Sequence, residues 1–118
     1  MTEKVQEYDK YFGAILTTGL EALKEIVGID EEELTYLNTH KRNSRIMIDA
    51  EFASRYLEFI KVHTGLKSFS ELGEAMGLHR NTLYAMFPPD EKEVEWTVKS
   101  YCTFIDWLEG MIYDSNQQ

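Results

Sequence analysis

Cysteine is nearly missing from this chain: 118 residues contain one, Cys102. An internal disulfide is therefore excluded, and a cytoplasmic location is the simplest expectation. No motif beside Cys102 would lower its pKa, so a buried structural thiol is expected rather than a reactive one. Proline occurs only at Pro88 and Pro89, which leaves long uninterrupted helices open to the rest of the chain. No apolar run reaches the length of a membrane span, and the start, MTEKVQEYDKYF, is too charged for a secretory signal. There is no glycine-rich phosphate loop and no nucleophile motif. His40, His63 and His79 share no metal-ligand spacing with one another or with Cys102. The expectation is a protein that is not an enzyme and that holds no metal or cofactor.

What is present is apolar surface. Hydrophobic residues make up 43% of the chain, with two Trp, seven Tyr and six Phe. That is enough for a core, and the length suits one domain over 1–118. The net charge of −9 argues against nucleic acid if taken whole, because phosphate binding needs positive surface. The distribution is uneven, however. Residues 1–38 hold three basic and nine acidic side chains, and residues 88–118 hold two and seven. Between them, residues 39–87 hold seven basic and five acidic side chains and all three histidines. A mildly basic centre between acidic ends fits either a DNA-facing middle or ordinary solvated helix surfaces.

Residues 3–27 read as one amphipathic helix, with Val5, Tyr8, Phe12, Ile15, Gly19, Ala22 and Ile26 at spacings of three and four. Leu16, Leu20, Leu23 and Val27 widen that face, Gly19 is small enough for a close helix approach, and Gly28 is a stop. Asp30 is an N-cap followed by three glutamates that complement the helix dipole, giving a short helix to about Asn38. The polar, basic stretch 39–45 reads as a loop and Ile46–Met47–Ile48 as a short extended bridge. Asp49 caps a helix over 50–63 with Phe52, Tyr56, Phe59 and Ile60 on one face, closed by Gly65. After the prolines, Asp90 is expected to cap a long helix over 91–114. Along it Val94, Val98, Tyr101, Ile105, Leu108 and Ile112 step by four and three as a heptad seam.

The segment SFSELGEAMGLHRNTLYAMF, 68–87, carries the functional signal. Ser68 and Glu71 form a capping box. Leu72, Ala75 and Met76 give the first helix its inner face, Gly77 supplies the positive φ of a tight turn, and Leu78 is an apolar plug. Thr82, Leu83, Met86 and Phe87 follow at helical spacing. Gly73 stands where two helices would cross closely.

This pattern, Leu72-Gly73-x-x-Met76-Gly77-Leu78 with Leu83 beyond, distantly resembles the helix-turn-helix of bacterial and phage regulators of the lambda repressor/Cro class. Thr82-Leu83-Tyr84-x-x-Phe87-Pro88 resembles the end of a TetR-type recognition helix. The strong part of the likeness spans about 69–87, and it implies an all-α fold of five or six helices around that motif. It also implies a recognition helix starting near His79, with His79, Arg80, Asn81, Tyr84 and Ala85 facing the groove. Arg suits guanine O6/N7, Asn suits adenine N6/N7, Ala85 would meet a thymine methyl and Tyr84 a phosphate. Lys67, Ser70, Lys41, Arg42 and Arg45 would add phosphate contacts.

The expected function is a sequence-specific regulator binding double-stranded DNA. Val94, Val98, Tyr101, Ile105, Leu108 and Ile112 would form a homodimer interface that sets two recognition helices about 34 Å apart. The alternative is an acidic interaction factor, antirepressor-like or DNA-mimicking, that uses the same fold on a protein partner. One arginine on the recognition helix is few, and Glu71 and Glu74 would repel phosphate, which keeps that alternative open. Small phage or mobile-element proteins share this size and composition.

Overall fold

A computed structural model describes residues 2–116, with side chains from residue 11 onward. The expected use of Val5 and Tyr8 in a helix face lies outside those described side chains. Among the described residues, six helices surround one two-stranded antiparallel sheet. The fold is mostly helical but not all-α, which corrects the sequence expectation.

Helix α1 (Thr2–Val27) ends at Gly28, whose φ of 71° makes the stop that a side chain would strain. Its inner stripe is Leu16, Leu20 and Leu23, all buried, whereas Ile15 and Ile26 are about half exposed at 47% and 46%. Helix α2 (Glu31–His40) starts where Asp30 accepts a hydrogen bond from the Glu33 N–H at 2.8 Å. It lies on the surface, with Leu34 and Leu37 half-buried against the core. Strand β1 (Arg45–Asp49) follows. Ile46 and Ile48 point inward, and Arg45, Met47 and Asp49 outward.

Asp49 then caps helix α3 (Ala50–Thr64), accepting from the Phe52 N–H at 3.0 Å, and Gly65 closes that helix at φ 76°. Tyr56 of α3 lays its ring over Gly19 and donates its hydroxyl to the Leu16 carbonyl at 2.6 Å. The small residue at 19 is what lets α1 and α3 meet. Helices α4 (Phe69–Met76) and α5 (Arg80–Met86) come next, then strand β2 (Glu93–Thr97) and helix α6 (Val98–Asn116). α6 packs along α1, and Lys24 and Glu109 bridge the two at 3.2 Å.

The long C-terminal helix expected over 91–114 therefore starts only at Val98. Residues 93–97 read Glu-Val-Glu-Trp-Thr, a period-two alternation rich in β-formers. The step of four from Val94 to Val98 is even, so it satisfies a strand as well as a helix. Asp90 is not a cap: it sits at φ 61° in the turn after the prolines. The capping contact comes from Thr97, whose hydroxyl accepts from the Ser100 N–H at 3.1 Å. β2 pairs with β1 so that Ile46 faces Trp96 and Ile48 faces Val94.

Trp96 is the keystone of the core. It is 1% exposed, and its indole N–H donates to the Met86 carbonyl at 2.8 Å. Its ring meets Phe87 and Phe104 at centroid distances of 5.3 and 5.5 Å. Burying a large ring while satisfying its one donor fixes the C-terminal end of α5 to the sheet.

Candidate functional site

Helices α4 and α5 are joined by the three residues Gly77, Leu78 and His79. The Ser68 hydroxyl accepts from the Glu71 N–H at 3.1 Å, starting α4. The Glu71 carboxylate reaches back to the Lys67 N–H at 2.7 Å, one residue before the reciprocal position expected of a capping box. At the other end Gly77 adopts φ 81°, and the N–H groups of Gly77 and Leu78 both donate to the Gly73 carbonyl, at 2.8 and 2.9 Å. Gly73 carries no Cβ where the Leu78 carbonyl crosses it, so the turn folds directly onto α4. Sequence and geometry agree here because every determinant is local.

His79 is the N-cap of α5. Its Nδ1 accepts from the Asn81 N–H at 3.1 Å, which requires that nitrogen to be unprotonated. His79 is exposed, with its ring oriented by the cap. Leu83 and Met86 are buried and hold α5 to the core. Arg80, Asn81, Tyr84 and Ala85 are exposed on the outer side. The Tyr84 ring meets Phe69 edge-on at 4.7 Å and remains 61% exposed. The side chains of Arg80 and Asn81 have no hydrogen-bond or ion-pair partner among the described residues. Lys67 and Ser70 are exposed at the start of α4, beside this pair of helices. Ala75, read as inward-facing, is exposed.

The remaining basic residues lie elsewhere. Thr39 and His40 belong to α2, and Arg45 opens β1, so the loop is shorter than 39–45. Arg42 donates to Asn38 at 3.3 Å, and its carbonyl accepts from the Lys99 N–H at 3.0 Å. Arg45 lies 3.7 Å from Glu95 on the neighbouring strand. Lys41 is exposed at the C-terminal end of α2. The elements that flank this loop, α2 and β1, pack on α6, α1, α3 and β2 but not on α4 or α5. The structure thus does not gather Lys41, Arg42 and Arg45 with the exposed face of α5.

The seam expected to meet a second copy is filled by its own chain. Val98, Tyr101, Ile105 and Leu108 are at most 4% exposed. Val94 sits on β2, and Val94 and Ile112 are half-buried against the same core. The cause is that the sheet, α1, α2 and α4 all pack on α6.

Electrostatics divide the surface. Glu71 and Glu74 are exposed on α4, and Glu91, Glu93 and Glu95 follow on the next stretch of chain. The Cys102 thiol is pushed up by burial and by nearby Asp106, with Arg42 acting in the opposite direction. It is neither exposed nor activated. His40 stacks on Tyr36 at 4.5 Å, and His63 lies against Phe12 and Phe59 at 5.1 and 4.4 Å. Among the described residues no three His, Cys, Asp or Glu side chains gather as metal ligands. Among the described residues no helix is long and apolar enough to cross a membrane.

One feature escaped sequence reading, a groove of about 630 Å³ between the end of α1 and β1. Its signal was Met47, an apolar residue on the outward phase of an alternating strand. Comparison of the chain with protein-family models, with curated proteins and with solved structures finds no match.

Proposed function

We propose that this protein is a sequence-specific DNA-binding regulator in which α4, the turn and α5 act as a helix-turn-helix. The observation that carries this reading is the outer face of α5. Arg80 and Asn81 stand exposed there and unpartnered, in a chain where Lys24, Arg45, Arg55 and Lys61 all have carboxylate partners. Side chains left uncommitted on a helix anchored by Leu83 and Met86 are available to base edges in a major groove. Arg80 would grip a guanine and Asn81 an adenine, while Ala85 meets a thymine methyl. Tyr84, Lys67 and Ser70 would contact the backbone. Lys41, Arg42 and Arg45 would contribute only general attraction, since Arg42 and Arg45 already have partners.

A second reading has its own support. Glu71 and Glu74 are exposed on the adjoining helix α4, and the net charge of −9 opposes any polyanion. An acidic factor that docks a protein through Tyr84 and the end of α5 would share this geometry. Selection from a random duplex library at moderate salt separates the two. A DNA reader enriches a defined motif. If the folded protein enriches nothing and retains one protein partner instead, the second reading stands and the first falls.

A further inference from the structure

β1 is an edge strand, paired with β2 on one side only. The ladder ends where Ser44 accepts from the Val98 N–H at 2.8 Å and where the Ala50 N–H donates to Lys92 at 3.0 Å. Hydrogen bonding alternates along a strand, so Ile46 and Ile48 turn their backbone groups toward β2. The N–H and C=O of Met47, the C=O of Arg45 and the N–H of Asp49 therefore point to the open side. The groove runs along this edge, lined by every residue of β1 and walled by Ile26 and Ile29. Met47 is 52% exposed in it. Proteins blunt such edges with charge, proline or cover, because an open edge templates another strand. Here the edge carries one charge at each end, Arg45 and Asp49, an apolar middle and no proline.

The order of residues along β1 identifies what fits. Arg45-Ile46-Met47-Ile48-Asp49 has opposite charges at its ends and a symmetric apolar middle. An antiparallel copy centred on Met47 would set Arg45 opposite Asp49 of the second copy, twice, and Met47 opposite the second copy's Met47. Residues 45, 47 and 49 share both the outward side-chain phase and the outward backbone phase. The charge pairs therefore fall on one face while the backbones exchange hydrogen bonds. The groove's other charges, Lys92 and Glu93, also cancel, so this patch is neutral in a chain of net charge −9. Self-repulsion is least where the second copy would approach.

We propose that β1 pairs with β1 of a second copy across a two-fold axis at Met47, joining the two-stranded sheets into one four-stranded sheet. The contact is isologous, and it leaves the outer face of α5 out of the interface. It stands independently of what α5 binds. In the isolated chain Arg45 leans toward Glu95 at 3.7 Å, on an exposed side chain free to share itself with a new carboxylate.

Sedimentation of the full chain from micromolar to millimolar concentration tests this. The expected result is a monomer–dimer equilibrium. Met47→Pro removes an N–H that points outward and no bond to β2, so it should give a folded monomer, checked by circular dichroism. Arg45→Asp and Asp49→Arg each place like charges opposite one another and should each be monomeric; Asp49 also caps α3, so circular dichroism first establishes that Asp49→Arg is folded. Mixed in equal amounts, they should form a heterodimer, which misfolding of either variant would not produce. A wild-type monomer throughout the range overturns the proposal. So does a dimer that survives Met47→Pro, or a mixture of the charge variants that stays monomeric.

Discussion

Replacing Gly73 by alanine tests how the turn aims α5. Helix propensity alone would make Gly73→Ala favourable by about 1 kcal/mol. The geometry opposes this, because a Cβ at residue 73 would fall well inside van der Waals distance of the Leu78 carbonyl oxygen. The Leu78 carbonyl carbon at 3.4 Å and the Arg80 nitrogen at 3.5 Å would be in ordinary contact, so the clash is with that oxygen. It is a backbone atom, so no rotamer change relieves the contact. Overpacking of this kind costs about 1–3 kcal/mol. The Gly77 and Leu78 hydrogen bonds to the Gly73 carbonyl would also be strained, at about 1 kcal/mol net each. The sum is a loss of about 2–4 kcal/mol, or roughly 8–16 °C in Tm. Gly110→Ala is the control. That glycine lies inside α6 with open space where a Cβ would go, so the change should stabilise by up to about 1 kcal/mol. Urea denaturation followed by circular dichroism reads both. If Gly73→Ala equals or exceeds the wild type in stability while Gly110→Ala behaves as expected, the close crossing of the turn over α4 is wrong.

Other outcomes follow from single contacts. His79→Ala should lower stability by about 1 kcal/mol, while His79→Asn, which can also cap α5, should restore most of the loss in the same melts. Cys102 should react with a thiol reagent far more slowly in the native protein than in denaturant; equal rates would contradict its burial. Burial makes the Tyr56 and Tyr101 hydroxyls harder to ionise, with Tyr101 pushed up to about 12 and Cys102 adding to the effect. Both folded values lie above the unfolded one, so this contribution is complete below about pH 10 and is lost as pH rises further. Thermal stability should therefore fall steeply above about pH 10, and tyrosinate absorbance should show two residues titrating late.

Apart from Asp90, local signals in the sequence translated directly into structure, and those that depend on partners did not. Asp30, Asp49 and Ser68 cap the helices expected of them, because a cap is a contact between residues two or three apart. His79 also caps its helix, but histidine is not among the residue types that signal a cap, so this contact was not legible. α1 offers apolar residues over a wide arc. Only the positions of α3 and α6 decide that Leu16, Leu20 and Leu23 go inward while Ile15 and Ile26 stay out. The strand at 93–97 was hidden by a spacing that fits both periods. The basic loop looked uncommitted in sequence because nothing linear connects Arg45 to Glu95 across the sheet. The exposed residues of α5 were legible, since Leu83 and Met86 fix the phase of a short helix.

Comparing the DNA motifs enriched by the wild type and by Arg80→Ala tests the central claim most directly. Each bidentate side-chain contact discriminates by about 1–3 kcal/mol at one base pair. The account predicts that the wild type enriches a defined motif. Arg80→Ala should keep most of that motif but lose its preference at a single guanine, with affinity for the original site down roughly tenfold and affinity for random duplex much less affected. Identical motifs from the two proteins, or no motif from the wild type, would contradict the reading of α5 as a recognition helix.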